Sequence, residues 1–131
     1  LMVVLVPQYI QYVEKSRIAT DESAISEIAH SAEVSMAEES VFDNLPTTAT
    51  FDIVVADGAV VTAGTATKLA TEINKIVDPV VLKSKAYKGG TFTIKVTYVA
   101  ADKTYTVGKF VKSADGTIDA TNSGITFAAK P

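Results

Sequence analysis

Apolar positions recur at helical spacing over the first third of the chain. From Pro7 onward they follow one another mostly at intervals of three, four or seven residues, with the acidic side chains mostly between them. No glycine interrupts the pattern before Pro46, which cannot continue a helix. The pattern predicts one amphipathic helix within residues 1–43, and roughly 33 residues at 1.5 Å each would make it about 50 Å long.

The pattern then changes to short extended segments. Residues 51–55 are typical of a strand, the Asp57-Gly58 pair of a tight turn, and residues 59–62 of a return strand. A short amphipathic helix is predicted over residues 67–77, ended by Asp78 and Pro79. Residues 80–82 are expected to begin another strand.

The clearest hairpin follows two consecutive glycines. Over residues 91–99 apolar and polar side chains alternate, residues 100–103 form a turn, and residues 104–112 return, with a bulge expected near Gly108. The tail, 113–131, is rich in turn residues. The sequence therefore predicts an α+β fold in a single domain, 1–131. In it, the N-terminal helix (1–43) packs on a small antiparallel sheet within a β-rich head (44–131).

The predicted helix is longer than so small a head can cover. Its later apolar residues are expected under their own sheet, whereas the earlier part of the stripe must meet another molecule. The first group comprises Ile25, Ile28, Ala32 and Met36, and the second Val3, Leu5, Ile10, Val13 and Ile18. The apolar run that opens the sequence is too short to span a bilayer, which takes about 20 residues, and the chain therefore looks as though it begins partway along a longer helix.

Composition narrows the chemistry. Apolar residues make up 47% and charged residues 21%, which is typical of a globular chain, and there is no cysteine. Disulfides and thiol nucleophiles are therefore excluded. The net charge of −3 conceals a segregation: residues 1–45 carry −6, and residues 80–112 carry seven lysines against one aspartate. The plainest interpretation is two solvated faces.

The start of the chain resembles the type IV pilins. The run Leu1 to Leu5, and then Val6-Pro7-Gln8-Tyr9 followed by Tyr12 and Lys15-Ser16-Arg17, is similar to the segment after the cleavage site of that family. The resemblance implies a pilin fold and a subunit of an extracellular cell-surface filament that serves adhesion or motility. It also implies residues for filament assembly, namely Leu1, Met2, Val3, Val4, Leu5, Val6, Pro7, Tyr9, Ile10, Val13 and Ile18.

The same resemblance implies partners and shows departures. Identical subunits in a helical homopolymer are expected, as is the cytoplasmic membrane before assembly, through an anchor mostly missing here. The glycine, the N-methylated aromatic residue and the glutamate that the family places before this run are absent, and the anchor of about 20 residues cannot be assembled from these positions. In lacking cysteine, the chain is more similar to the Gram-positive pilins.

Two other functions stay open. A pseudopilin of a type II secretion or competence and DNA-uptake machine shares every feature above. A free-standing surface domain that binds anionic polymers, such as DNA or wall glycans, belongs to a different class. Lys83, Lys85 and Lys88 would contact either the acidic helix of a neighbouring subunit or such a polymer, the latter weakly and in a salt-sensitive way.

Catalytic chemistry finds little support. His30 is the only histidine, and no phosphate loop, paired-histidine metal motif or nucleophile set accompanies it. Asp115, Asp119 and Asn122 offer oxygens to calcium, but their spacing does not fit an EF-hand, and turn chemistry explains them. We therefore expect no enzyme, catalytic residue, cofactor, metal or small-molecule substrate.

Overall fold

One long helix leads into a four-stranded antiparallel sheet. The computed structural model describes residues 2–47, 50–64, 66–119 and 121–129, with residues 2–10 as backbone alone. The prediction of an α+β chain is confirmed. In chain order the elements are α1 (Met2–Met36), α2 (Glu39–Phe42), β1 (Thr50–Ala56), α3 (Thr67–Ile76), β2 (Thr91–Val99), β3 (Thr104–Val107) and β4 (Ile125–Ala128).

The predicted N-terminal helix is divided near its end. α1 runs for 35 residues, and its last turn tightens where the Ala37 and Glu38 N–H groups donate to the carbonyls of Val34 and Ser35, each at 3.2 Å. Glu38 is extended (φ −73°, ψ 132°), so it ends the first helix and precedes α2. The short α2 turns the chain so that Val41 is buried.

β2 is the central strand of the sheet. One of its edges pairs with β1 along seven residues, from Thr50 opposite Thr97 to Ala56 opposite Thr91. The other edge is shared, because β3 pairs with residues 96–99 and β4 with residues 91–94. All of these pairings are antiparallel, as the predicted alternation and hairpin require.

Along this edge of β2, the pairing partner changes from β4 to β3 at Lys95. The Lys95 carbonyl accepts the Gly108 N–H at 2.9 Å, and the Lys95 N–H donates to the Gly124 carbonyl at 2.7 Å. The two glycines face each other so closely that a Cβ on either would collide with the backbone of the other. The return strand predicted over residues 104–112 therefore ends at Val107, and the tail takes over the edge.

Of the other local predictions, one is confirmed and two are wrong. The short helix over residues 67–77 is confirmed by α3. The return strand predicted over residues 59–62 is wrong, because only Thr62 pairs, in an isolated bridge with Val54. The strand predicted at residues 80–82 is also wrong: the Leu82 N–H donates to the Asp57 carboxylate at 2.8 Å instead of to a neighbouring strand.

A single apolar cluster joins the helices to the sheet. The residues of α1 expected beneath the sheet are all buried, which confirms that prediction: Ile25, Ile28, Ala32 and Met36. They share the cluster with inward-facing residues of the strands and with Leu69 and Ile73 of α3. The strand members are Ile53, Val55, Phe92, Ile94, Val96, Val107 and Ile125.

Candidate assembly surface on the long helix

The head buries side chains of α1 along the second half of the helix. Among residues 11–20 no side chain is buried, and Tyr12 is 72% exposed. The first buried side chain from that point on is Asp21, at 2% exposure. Residues 2–20 correspond to roughly 28 Å of helix at 1.5 Å per residue. The side chains that α1 buries in the head therefore begin a little more than halfway along the helix from its N-terminal end.

Carboxylates of α1 attach the head at this boundary. The two Glu14 oxygens accept the Lys85 N–H at 3.0 and 2.9 Å. Asp21 accepts the N–H groups of Lys83, at 3.1 Å to each oxygen, and of Ser84, at 2.8 Å. Residues seven apart lie on nearly the same face of a helix, so both carboxylates meet one segment of chain. That segment belongs to the connecting loop (residues 77–90) between α3 and β2.

Asp57 holds the same loop from the side of the sheet. Its Oδ1 accepts the Leu82 N–H at 2.8 Å, and its Oδ2 accepts the Gly89 N–H at 2.7 Å. Backbone N–H groups that lack a ladder partner must find another acceptor. Here carboxylates supply it, and charge-assisted hydrogen bonds of this kind are stronger than neutral ones. The loop is thus held in place without regular secondary structure.

Glu22 completes the junction with side-chain contacts. It accepts the Tyr87 hydroxyl at 2.9 Å and pairs with the Lys112 ammonium at 2.7 Å. Burial, and then the hydrogen bond and negative charge of Glu22, raise the pKa of the Tyr87 phenol well above its usual value of 10. Tyr87 therefore stays protonated and keeps donating to Glu22 over the ordinary pH range.

The three lysines singled out in the sequence all lie on this loop and are exposed: Lys83, Lys85 and Lys88. Two of them donate their backbone N–H to the helix carboxylates described above, so the acidic helix and the basic loop meet within one chain. The segregation of charge is visible in the sequence. The hydrogen bonds from the backbone of the loop to the carboxylates of the helix are not. Glu33, Glu38 and Glu39 are also exposed, near the other end of α1, and the contact of the loop lysines with the acidic helix of a neighbouring subunit stays a prediction.

The residues predicted for filament assembly lie along the projecting half. Leu1 lies outside the described residues. The structure gives the helical backbone alone for the next eight: Met2, Val3, Val4, Leu5, Val6, Pro7, Tyr9 and Ile10. Val13 is half-buried. Ile18 is also half-buried, packs against the core, and lines a groove of about 650 Å³ beside Phe127.

The candidate calcium ligands are engaged in turns. Asp115 accepts the Thr117 N–H and hydroxyl at 3.1 and 2.7 Å. Asp119 accepts the N–H groups of Thr121 and Asn122 and the Asn122 amide, at 2.9 to 3.1 Å. These hydrogen bonds lower the pKa of both aspartates. Across the described ranges, no three acidic or histidine side chains gather as a metal site would need, and His30 is exposed on α1.

Comparison with known proteins returns no family model, no curated protein and no solved structure that matches this chain. Where the structure describes them, none of the helices is both long enough and apolar enough to span a bilayer.

Proposed function

We propose that this chain is a structural subunit that polymerises through α1 into an extracellular filament of the type IV pilin kind. The observation that carries the proposal is the division of α1: this 35-residue helix buries side chains in its own head from Asp21 onward, and over residues 11–20 none is buried. The segment that resembles the pilins lies on the other, projecting half.

The projecting half needs a partner for physical reasons. An isolated helix is marginal in water, and helices in proteins are stabilised chiefly by packing of an apolar face. The sequence of residues 2–10 is rich in Val, Leu and Ile, so this part of the helix would gain most from neighbours of the same kind. Contacts between different surfaces of identical subunits generate an open helical filament when the rotation does not close a ring.

A structural rather than catalytic role accords with the polar groups of the head. The carboxylates at the junction accept backbone N–H groups, a tyrosine hydroxyl or a lysine, so each has a stabilising task already. His30 is exposed and has no acid or base partner among the described residues. We accordingly propose that the chain acts as a building block, without cofactor or small-molecule substrate.

The experiment compares Ile10→Asp with Gln11→Asp in cells that produce the chain. Both changes add one carboxylate to adjacent positions of α1, but only the first falls on the apolar stripe. We expect Ile10→Asp to abolish surface fibres and Gln11→Asp to preserve them, because a charge inside a helix–helix contact is strongly unfavourable. Fibres are sheared, counted by electron microscopy and identified by mass spectrometry of their main band.

Folding of the head serves as the control in that experiment. Both purified variants should melt within a few degrees of the unmodified chain, since residues 10 and 11 precede the buried half of α1. Normal fibre numbers for Ile10→Asp would refute the assembly role. Absent fibres in the parent cells, together with secretion or DNA uptake that Ile10→Asp abolishes, would favour a pseudopilin instead.

A further inference from the structure

Basic side chains gather where α1 leaves the head. Lys15 and Arg17 lie on the helix, and Lys83, Lys85 and Lys88 lie on the connecting loop, which Glu14 and Asp21 hold against the same stretch of α1. All five basic side chains are exposed. We refer to these five residues as the basic collar. Its two parts are far apart in the sequence and are brought together by the fold alone.

The carboxylates nearest the collar do not neutralise it through ion pairs. The oxygens of Glu14 and Asp21 accept backbone N–H groups, and Glu22 is paired with Lys112 outside the collar. In the described part of the chain, none of the five collar side chains forms an ion pair. The collar thus presents five cations against one exposed carboxylate of the loop, Asp78, because Glu14, Asp21 and Asp57 accept backbone N–H groups. A cluster of cations without ion pairs attracts anions from solution.

The collar lies directly beyond an apolar and then aromatic stretch of the helix. The sequence passes from Leu1–Val6 through Tyr9 and Tyr12 to Lys15 and Arg17. Tyrosine and basic side chains in this order are typical of a helix at the boundary between a bilayer and water. Lys15 is about 8 Å beyond Ile10 along the axis, a distance that a flexible lysine stem can reach back across.

We propose that the basic collar binds the phosphate headgroups of an anionic bilayer, so that the head rests on the membrane surface before the subunit enters a filament. The proposal rests on the proposed function, because the resemblance to the pilins also implies that the first part of α1 lies in a membrane before assembly. It adds a binding surface on the head itself. Headgroup phosphates suit this surface because the loop lysines lie beside the stretch of α1 that would emerge from the bilayer.

Nucleic acid fits the same surface less well. Single-stranded nucleic acid is held by basic grooves combined with exposed aromatic rings on which bases stack. The one aromatic side chain of the connecting loop, Tyr87, is buried, and its hydroxyl is bound to Glu22. Tyr12 of α1 is exposed near Lys15, so among the described residues beside the collar a strand of bases would meet one ring and no series of rings. The surface therefore favours a partner that offers phosphate alone.

The test measures binding of the complete 131-residue chain to vesicles at about 0.1 M salt, by flotation. One set of vesicles is phosphatidylcholine, and in the other roughly a third is replaced by phosphatidylglycerol. A basic residue near such a surface strengthens binding about fivefold. We therefore expect the triple variant Lys83→Glu, Lys85→Glu, Lys88→Glu to lose about 100-fold or more in affinity for the anionic vesicles.

A matched variant changes the same number of lysines elsewhere. Lys95, Lys103 and Lys109 are exposed, and the last two lie beside Glu33, about 27 Å along the axis of α1 from Lys15. Replacing all three by Glu alters the net charge equally, yet at this salt concentration the Debye length is about 10 Å, so distant charges act weakly. We expect this variant to bind within about threefold of the unmodified chain.

Several outcomes would overturn the proposal. Equal losses in the two triple variants would show a net-charge effect without a site. Equal binding to both kinds of vesicle would show that the apolar segment acts alone. Tight binding to a DNA duplex without binding to anionic vesicles would assign the collar to a polymer. Vesicle binding is measured apart from fibre counts, so a failure here is distinguishable from a failure of the filament proposal.

Discussion

The two halves of α1 belong to one continuous helix but differ in what surrounds them. From Asp21 to Met36 the helix buries a face of Ile, Ala, Ser and Met side chains in the core of the head. Over residues 11–20 no side chain is buried. The difference teaches that helical periodicity identifies an apolar face without identifying what covers it. The stripe from Ile25 to Met36 is internal, whereas Val13 and Ile18 are half-buried.

The boundary between the halves is polar rather than apolar. Glu14, Asp21 and Glu22 attach α1 to a loop and a tail that come much later in the chain. A hydrogen bond to a charged group contributes about 1.5 to 3 kcal/mol when it is well formed. These contacts therefore determine where along the helix the head stops, since they require defined geometry that apolar packing alone does not impose.

The largest expected effect tests the two halves directly. Ile28→Asp places an unpaired carboxylate at a site that is 1% exposed, and should destabilise the head by about 4 kcal/mol or more. Val13→Asp makes the same kind of change at a half-buried position, in the projecting half of α1. It should lower the free energy of unfolding by about 1 kcal/mol or less. Urea unfolding followed by circular dichroism gives both values. Similar losses for the two variants would contradict the division.

A smaller effect is expected at the boundary. Asp21→Asn leaves an amide whose NH₂ group cannot accept the N–H groups of Lys83 and Ser84, and should cost about 1 to 3 kcal/mol. Hydrogen exchange of those two amides should accelerate more than exchange in β2. Glu27→Gln, at an exposed carboxylate of the same helix, is the matched control and should stay within about 0.5 kcal/mol. An unchanged exchange rate at residues 83 and 84 would disprove the attachment.

Alkaline pH should loosen the same junction. The folded state raises the pKa of the Tyr87 phenol above the unfolded value of 10, mainly through burial. The corresponding stability is fully present below pH 10 and declines as the pH rises further, because the unfolded chain then loses a proton that the folded chain keeps. Unfolding between pH 9 and about 12 should show a steeper decline for the unmodified chain than for Tyr87→Phe. Parallel curves would refute this coupling.

The smallest expected effect lies in the covered half. The Ser35 hydroxyl is buried and has no hydrogen-bond partner among the described residues. Removing an unsatisfied buried polar group relieves its desolvation cost, so Ser35→Ala should leave stability unchanged or raise it by about 1 kcal/mol. Ser23→Ala, at an exposed position on the same helix, is the control. A melting temperature lowered by several degrees for Ser35→Ala alone would indicate a partner at that hydroxyl.

Local pattern accounts for the elements that the sequence predicted well. The stripe from Ile25 to Met36 and the alternation over residues 91–99 each specify a period, and the period determines both the element and its buried face. The β3 edge was predicted too long because its end depends on Gly124, sixteen residues beyond Gly108. No local sequence pattern indicates that β4 takes the place of β3 along this edge of β2.

The candidate site shows the same limit more clearly. From the sequence alone, Asp21 is an acidic side chain off the apolar stripe, which is typical of a solvated position. In the folded chain Asp21 is 2% exposed and accepts the backbone N–H groups of Lys83 and Ser84. These two residues lie 62 and 63 positions after it in the sequence. Residues 80–82 are apolar and were predicted as a strand, but the Asp57 carboxylate accepts the Leu82 N–H in place of a ladder partner.

The sequence by itself therefore determined the long helix, the central hairpin, the apolar core and the segregation of charge. These follow from short-range periodicity and composition, which each segment carries within itself. Only the tertiary structure decided where the head ends on α1, that Asp21 is buried, and that the loop of Lys83, Lys85 and Lys88 binds the stretch of α1 that carries Lys15 and Arg17. Such contacts join segments more than sixty residues apart, and their hydrogen-bond geometry exists only once the chain has folded.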